Sequence, residues 1–350
     1  MRAAIIGCGP AGPARGGAHS ISYAHGWGMQ HVGDAQAIEL VAAASRGEKN
    51  LQDFVAEFPG IHGYRDYREM LSKERPEFVS ICAFPPDRET MVLAALEAGA
   101  KAILVEKPFA ISLGSAHRML DAAKAHHARL FVHFQRRYGK PFEWVKEAVS
   151  SGRIGRLIGA QIIQPGAQLI NFGPHLIDAA LNIMGSPAER HPVSVLAGVE
   201  ASDEPYQGVP AEAQLIGRVR FNDGTRLVVE SGNTAVEQVP ILRFDGEEGF
   251  AELRLMPVGQ EGGIARGRFC GEAGISVLET EENFHHGAVD RNLYVDRAFR
   301  DIVQAVQSGA PCQLDAEAVL PGLEILLALF ESARQRKAVG LPLAQQESPF

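Results

Sequence analysis

The sequence opens with Met1-Arg2-Ala3-Ala4-Ile5-Ile6-Gly7-Cys8-Gly9-Pro10-Ala11-Gly12, in which an apolar run leads directly into a G-x-G-x-x-G turn. In such a turn the first glycine permits a tight bend, the second lets the backbone approach a pyrophosphate, and the third allows close helix–sheet packing. An isolated match also occurs in plain turns, but its position straight after a strand favours phosphate binding. The turn residues that we expect to contact a dinucleotide are Gly7, Gly9, Pro10, Ala11 and Gly12.

The first third of the chain alternates short apolar runs with longer amphipathic stretches. The predicted strands are Ala3 to Ile6, Ile38 to Ala44, Phe78 to Cys82, Ala102 to Val105 and Leu130 to His133. Helical patterns such as Thr90 to Ala98 and Ser115 to His126 lie between them. This alternation predicts βαβ units in a doubly wound parallel sheet with helices on both faces. We therefore predict an α/β fold with an N-terminal Rossmann domain over residues 1–130.

Beyond residue 150 strand-like segments follow one another without intervening helices. They are Leu157 to Gln164, Glu212 to Phe221, Thr225 to Ser231, Ile241 to Asp245 and Phe250 to Leu255. Asn222-Asp223-Gly224 between two of them is typical of a hairpin turn. The pattern predicts an α+β domain over residues 131–335 with an open, mostly antiparallel sheet. Helical patterns at Asn292 to Ser308 and Ala316 to Gln335 close the domain, and residues 336–350 either pack back or fray.

The composition excludes several classes of function. The formal net charge of −8 and the pI near 5.9 argue against binding to nucleic acid or to anionic lipid. No apolar stretch is long enough to cross a bilayer, and we expect a cytoplasmic protein. The four cysteines are widely spaced without a ligand pattern, so we expect reduced thiols and no metal site.

The end of the second predicted strand bears on the choice of cofactor. This position usually offers a carboxylate to the ribose hydroxyls of NAD, but here the sequence is Ala44-Ser45-Arg46. The hydroxyl of Ser45 and the guanidinium of Arg46 suit a 2′-phosphate, which favours NADP while NAD remains possible. The alternative is a solvated loop without any contact to the cofactor.

Two further segments carry candidate catalytic groups. Lys107, in Glu106-Lys107-Pro108, emerges from the carboxyl end of a predicted strand, where it could hydrogen-bond a substrate oxygen. Asn171-Phe172-Gly173-Pro174-His175-Leu176-Ile177-Asp178 predicts a helix that starts near Asn171, because proline is tolerated in the first turn. His175 is then a candidate general base on the same face as Asn171. The alternatives are a surface lysine, an N-cap at Asn171 and a half-buried structural histidine.

Taken together, these motifs resemble the Gfo/Idh/MocA oxidoreductases, the family of glucose-fructose oxidoreductase and inositol 2-dehydrogenase. The similarity covers nearly the whole chain. It extends through Tyr64-Arg65-Asp66-Tyr67, Gln135-Arg136-Arg137-Tyr138, Gly152 to Leu157 and Val339 to Leu343. The resemblance implies catalytic roles for Lys107 and His175, with Asn171 where the family has an aspartate. The remaining expected cofactor contacts are Ala83, Phe84, Glu106 and Lys107.

The function that the resemblance implies is hydride transfer between a nicotinamide and a carbinol carbon of a sugar, a sugar derivative or a cyclic polyol. His175 would move the hydroxyl proton and Lys107 would hold the oxygen. A homodimer or homotetramer formed through the C-terminal sheet is the expected assembly. Two alternatives remain open: a non-catalytic regulator of the same fold, and a glycosidase or lyase that borrows and returns the hydride.

Overall fold

A computed structural model describes residues 1–11, 20–32, 38–166, 169–185, 190–202, 212–232, 239–255, 263–280, 293–344 and 346–349. Contacts between residues divide the chain into two units. The first unit contains Met1–Gln135 and Asn283–Leu320, and the second contains Arg136–Glu282 and Pro321–Phe350. The third glycine of the predicted turn, Gly12, lies outside the described residues.

The first unit is built on a parallel sheet of six strands. They are β1 (Arg2–Ile6), β2 (Glu39–Ala44), β3 (His62–Tyr64), β4 (Phe78–Ile81), β5 (Ala102–Val105) and β6 (Arg129–Val132). The strand order is β3-β2-β1-β4-β5-β6, which is the order of a dinucleotide-binding Rossmann sheet. Strands β4 and β5 are buried at every position, as expected where helices cover both faces of a parallel sheet. The predicted doubly wound Rossmann sheet is therefore confirmed.

Among the described residues, six α-helices lie wholly in the first unit. They are α1 (Ile21–His31), α2 (Glu48–Glu57), α3 (Tyr67–Glu74), α4 (Arg88–Glu97), α5 (Leu113–Ala125) and α8 (Leu293–Ser308). Helix α8 packs against α1 at Gly28, where a Cβ atom would lie 2.7 Å from the Phe299 ring. Arg129 also binds the carboxylate of Asp315 at 2.6 and 2.9 Å. These contacts group residues 293–320 with the first unit, whereas the sequence analysis assigned them to the second domain.

The second unit contains a nine-stranded sheet. Its strands are β7 (Leu157–Pro165), β8 (Pro192–Ala201), β9 (Glu212–Phe221), β10 (Arg226–Gly232), β11 (Ile241–Gly246), β12 (Phe250–Leu255), β13 (Gly263–Arg268), β14 (Ser276–Thr280) and β15 (Val339–Gly340). Their order is β14-β13-β12-β11-β7-β10-β9-β8-β15, and only β7 and β10 pair in parallel. The predicted hairpin joins β9 to β10, with Gly224 at a φ of +86°. The mostly antiparallel sheet is thus confirmed.

One face of this sheet is covered by helices. The helices with residues in the second unit are α6 (Lys140–Ser150), α7 (Leu169–Met184) and α9 (Ala316–Gln335), the last of which begins in the first unit. On β9, Leu215 and Val219 are buried while Ile216 between them is 61% exposed. Gly217 lies against α9, since a Cβ atom there would come within 2.2 Å of Leu329. The C-terminal segment packs back through pairing of Val339 with Val195.

Two observations complete the description of the fold. All four cysteines, Cys8, Cys82, Cys270 and Cys312, are free thiols. In the described part of the chain, no helix combines the length and the apolar character that a membrane span requires.

Candidate functional site

The glycine turn follows the central strand β1, at the point where the strand order reverses. Gly7 has a φ of +96°, and its N–H donates to the carbonyl of Ala44 at 2.8 Å. A Cβ atom on Gly7 would lie 3.0 Å from the backbone nitrogen of Ala83, so a side chain has no room there. Gly9 donates its N–H to the Ser22 hydroxyl at 3.2 Å. The turn is therefore tight and packed against the segment after β4, at the crevice where sheets of this order bind dinucleotides.

The remaining described residues of the turn lie nearer the surface. Pro10 is exposed and Ala11 is half-buried. The carbonyl of Pro10 accepts from the N–H of Ser20, which precedes helix α1, at 3.3 Å. This bond ties the turn to the start of the helix that follows it.

Ser45 and Arg46 follow β2 beside the glycine turn. Ser45 is buried, and its hydroxyl donates to the carbonyl of Cys8 at 3.2 Å. The side chain of Arg46 is 90% exposed and lies 3.5 Å from the carboxylate of Asp87. The hydroxyl of Ser45 thus stabilises the glycine turn through this hydrogen bond, while the guanidinium of Arg46 is exposed to solvent.

Ala83 and Phe84 follow β4 and are half-buried. Their backbone is held by Arg88, a buried residue that sequence reasoning missed. The Arg88 guanidinium donates to the carbonyls of Ala83 at 2.6 Å and Phe109 at 3.2 Å, and also to that of Pro108. Burial lowers the pKa of Arg88 to about 10, which leaves it charged at neutral pH. The buried guanidinium of Arg88 therefore connects the segment after β4 to the segment after β5.

Glu106 and Lys107 follow β5. Lys107 is half-buried, and its backbone N–H donates to Oε2 of Glu106 at 3.2 Å. The other carboxylate oxygen, Oε1, lies 2.7 Å from Nδ1 of His133 and 3.1 Å from Nε2 of His25. The Glu106 carboxylate is thus engaged by two histidines inside the first unit.

His25, Glu106 and His133 form a buried cluster that the sequence analysis did not predict. Burial, reinforced by His133, lowers the pKa of His25 to about 4. Burial raises the pKa of Glu106, but hydrogen bonds from His133 and His25 outweigh it and leave the pKa well below its usual range. His25 is therefore a neutral imidazole and Glu106 is a carboxylate at neutral pH. The three residues come from α1 and from the ends of β5 and β6, so no sequence spacing could have shown that they meet.

Helix α7 carries the second set of predicted residues. It begins at Leu169, so the predicted start near Asn171 is wrong, and Asn171 is inside the helix rather than its N-cap. The helix starts earlier because the N–H of Leu169 donates to the buried carboxylate of Glu212 on β9. Pro174 therefore lies in the second turn, where it leaves the Ile170 carbonyl without its usual helical donor.

Asn171 and His175 are one helical turn apart on α7, as predicted. His175 is 7% exposed and Asn171 is half-buried. The carboxylate of Asp178 accepts two hydrogen bonds from Arg137, at 2.5 and 2.8 Å, and is therefore not the group that orients His175. Burial raises the pKa of Asp178, although Arg137 opposes the shift. The structure thus gives Asp178 a packing role within the second unit.

Comparison with known proteins identifies both parts of the chain. Residues 1–134 match the model described as "Oxidoreductase family, NAD-binding Rossmann fold". Residues 163–341 match the model described as "Oxidoreductase family, C-terminal alpha/beta domain". These are the two domains of the Gfo/Idh/MocA family.

Individual relatives of known sequence have low to moderate sequence identity with this chain. An uncharacterised oxidoreductase of Schizosaccharomyces pombe is 32% identical over 38% of this chain and 40% of its own length. D-glucoside 3-dehydrogenase of Escherichia coli is 24% identical over 62% of this chain and 70% of its own length. An oxidoreductase from Agrobacterium radiobacter, solved with NAD+, L-tartaric acid and magnesium, has a TM-score of 0.77 at 19% identity. That comparison covers 97% of this chain and 98% of the other and shows the shared fold. From both family matches and this fold, the chain belongs to the Gfo/Idh/MocA family of oxidoreductases, with an N-terminal NAD-binding Rossmann domain.

Proposed function

We propose that this protein is an NAD(P)-dependent dehydrogenase acting on a sugar, a sugar derivative or a cyclic polyol. The observation that carries the proposal is the glycine turn at the reversal of the strand order, with one strand, β4, between its own strand and β5, which leads into Lys107. Gly7 makes the tight turn after β1 at a φ of +96°, as the first glycine of a dinucleotide-binding turn does, so the residues present fit a dinucleotide. When bound, the nicotinamide supplies the hydride acceptor or donor.

The chain's own residues would handle the substrate oxygen and its proton. In the oxidative direction, the ammonium of Lys107 donates to the carbinol oxygen and favours its developing negative charge. The His175 imidazole accepts the hydroxyl proton as the carbon–hydrogen bond breaks and the carbonyl forms. Asn171, one turn earlier on α7, supplies a neutral hydrogen-bonding group where the family has an aspartate. In the reductive direction the same groups return the proton.

The test is a turnover assay on the full chain with a panel of glucosides, aldoses and inositols, read by nicotinamide absorbance. We expect Lys107→Met and His175→Asn each to lower kcat by roughly 10²–10⁴-fold for any substrate that wild type oxidises. His126→Gln, an exposed histidine on the first unit, is the matched control and should leave kcat unchanged. Wild-type rates in both variants would refute the assigned roles. Product formed without net change in nicotinamide absorbance would instead favour the hydride-borrowing alternative.

We propose that NADP is the preferred cofactor. The support is the exposed guanidinium of Arg46 after β2, where an NAD-specific site usually has a carboxylate. Arg46→Ala should weaken NADPH binding about tenfold or more and leave NADH binding nearly unchanged, since a charged hydrogen bond contributes roughly 1.5–3 kcal/mol. Arg68→Ala, another exposed arginine of the same unit, is the control. Equal losses for NADPH and NADH, or none, would contradict the assignment.

We further propose that the chain self-associates through the open face of the nine-stranded sheet. Leu196 on β8 and Ile216 on β9 are 56% and 61% exposed, and strand pairing puts them on the same face. Exposed apolar residues of this size on one sheet face are typical of an interaction surface. Light scattering should give a mass of two or four chains, and Ile216→Glu should lower it. A monomeric wild type would contradict the proposal.

A further inference from the structure

The buried cluster of His25, Glu106 and His133 has a geometry that hydrogen bonding alone explains poorly. Three donor atoms face one another: Nε2 of His25, Oε1 of Glu106 and Nδ1 of His133. The separations are 2.7 Å between Glu106 and His133, 2.9 Å between the two histidines, and 3.1 Å between His25 and Glu106. The two imidazoles are fully buried and the carboxylate nearly so.

Hydrogen bonds cannot satisfy all three contacts at once, because among three atoms in mutual contact at least two are donors or at least two are acceptors. If both histidines donate to Glu106, their two N–H groups face each other across 2.9 Å. If His25 instead directs its proton away from the cluster, its Nε2 lone pair faces the carboxylate oxygen at 3.1 Å. One of the three contacts therefore always pairs two donors or two acceptors.

A single cation resolves this conflict because all three atoms can direct a lone pair at it. With metal–ligand bonds of about 2.1 Å, donors at right angles, as in octahedral coordination, are about 3.0 Å apart, which is close to the three separations, whereas tetrahedral donors would be about 3.4 Å apart. Two imidazole nitrogens and one carboxylate oxygen are a donor set used by divalent transition metals.

A contact outside the triangle independently favours metal binding. Nδ1 of His25 lies 2.6 Å from the hydroxyl of Ser80 on β4, which is also buried. If Nδ1 donates to Ser80, Nε2 is left unprotonated and directed at the cluster, which is the tautomer that a metal ligand requires. Metal-binding histidines usually have such a partner on the second nitrogen.

We propose that His25, Glu106 and His133 bind a divalent transition-metal cation that accepts octahedral coordination, such as Fe²⁺. The cation joins α1 to the ends of β5 and β6 and fixes the carboxylate whose other oxygen accepts from the Lys107 backbone. The site goes beyond the proposed dehydrogenase function, since it requires neither dinucleotide nor substrate. The expectation of no metal was based on the cysteines, and ligands from three distant segments give no spacing signal. Because the cluster is buried, the protein would acquire the ion as it folds.

The test is elemental mass spectrometry on the untagged full chain, purified without chelators. We expect about one transition-metal ion per chain in wild type and a tenfold or greater loss in His25→Gln and His133→Gln. His126→Gln, an exposed histidine outside the cluster, should keep the full content. Refolding with Co²⁺ should give visible d–d absorption bands in wild type that both cluster variants lack.

If the histidine variants fail to fold, the deciding variant is Ser80→Ala, because it keeps all three ligands and removes the hydroxyl that lies 2.6 Å from Nδ1 of His25. We expect it to hold the metal about 10–100-fold more weakly in competition with a chelating dye. A wild type that folds metal-free and retains none of Zn²⁺, Fe²⁺ or Co²⁺ on refolding would overturn the proposal. An undiminished metal content in the His25→Gln and His133→Gln variants would also overturn the proposal. None of these measurements depends on NADPH binding, so failure of the metal site is distinct from failure of the dehydrogenase function.

Discussion

Replacement of Arg88 by methionine tests the connection between the segments that follow β4 and β5. The methionine keeps an unbranched stem but leaves three carbonyls, those of Ala83, Pro108 and Phe109, without their shared donor. Each unpartnered buried acceptor costs roughly 1–3 kcal/mol. Because water can reach part of the opened space, we expect the lower end, a loss of about 3 kcal/mol in the free energy of unfolding.

The assay is thermal unfolding followed by circular dichroism. For a unit of this size, each 1 kcal/mol shifts Tm by roughly 2–4 °C, so Arg88→Met should unfold about 6–12 °C below wild type. Arg118→Met is the matched control, because Arg118 is half-exposed and forms an ion pair with Glu89. An exposed ion pair contributes about 1 kcal/mol or less, so this variant should lose no more than about 4 °C. If Arg88→Met unfolds no lower than Arg118→Met, the structural role of the buried guanidinium is refuted.

Two other perturbations follow from the structure. Gly7→Ala places a side chain at a φ of +96° and 3.0 Å from the Ala83 backbone, so denaturant unfolding should show a loss of about 1–3 kcal/mol. Nicotinamide titration should also show weaker dinucleotide binding, and wild-type values in both assays would contradict this reasoning. In the β9–β10 turn, burial raises the pKa of Asp223, but bonds from Thr225 and Arg190 outweigh it and bring the pKa to about 2. Because this lies below the unfolded value of 3.8, the stabilisation is present above about pH 4 and is lost as pH falls towards 2. The Tm difference between wild type and Asp223→Asn should therefore shrink in acid, and a constant difference would contradict the pKa.

The features that could be predicted from sequence are those with a local signal. Strands β5, β9 and β12 match their predicted bounds because each is a distinct apolar or alternating run in the sequence. The hairpin at Asn222 to Gly224 was predictable because its turn chemistry is contained in three residues. Strand β3 was missed because His62–Tyr64 is only three residues long and lacks an apolar run.

The features that could not be predicted depend on contacts between distant segments. The start of α7 at Leu169 is set by Glu212, more than forty positions away, which overrides the local preference of Pro174 for a first turn. Arg88 has no neighbouring sequence signal, because its three acceptors are carbonyls that any residue provides. Lys107 and His175 were identified as candidates from sequence motifs. Their catalytic roles stay predictions until turnover is measured.

The most direct test of the central claim, that this chain binds a nicotinamide dinucleotide through its first unit, is a fluorescence titration of the full protein with NADPH and NADH. We expect saturable binding of at least one of them at one site per chain, weakened about tenfold or more in Gly7→Ala. A wild-type protein that is folded and binds neither dinucleotide would contradict the claim.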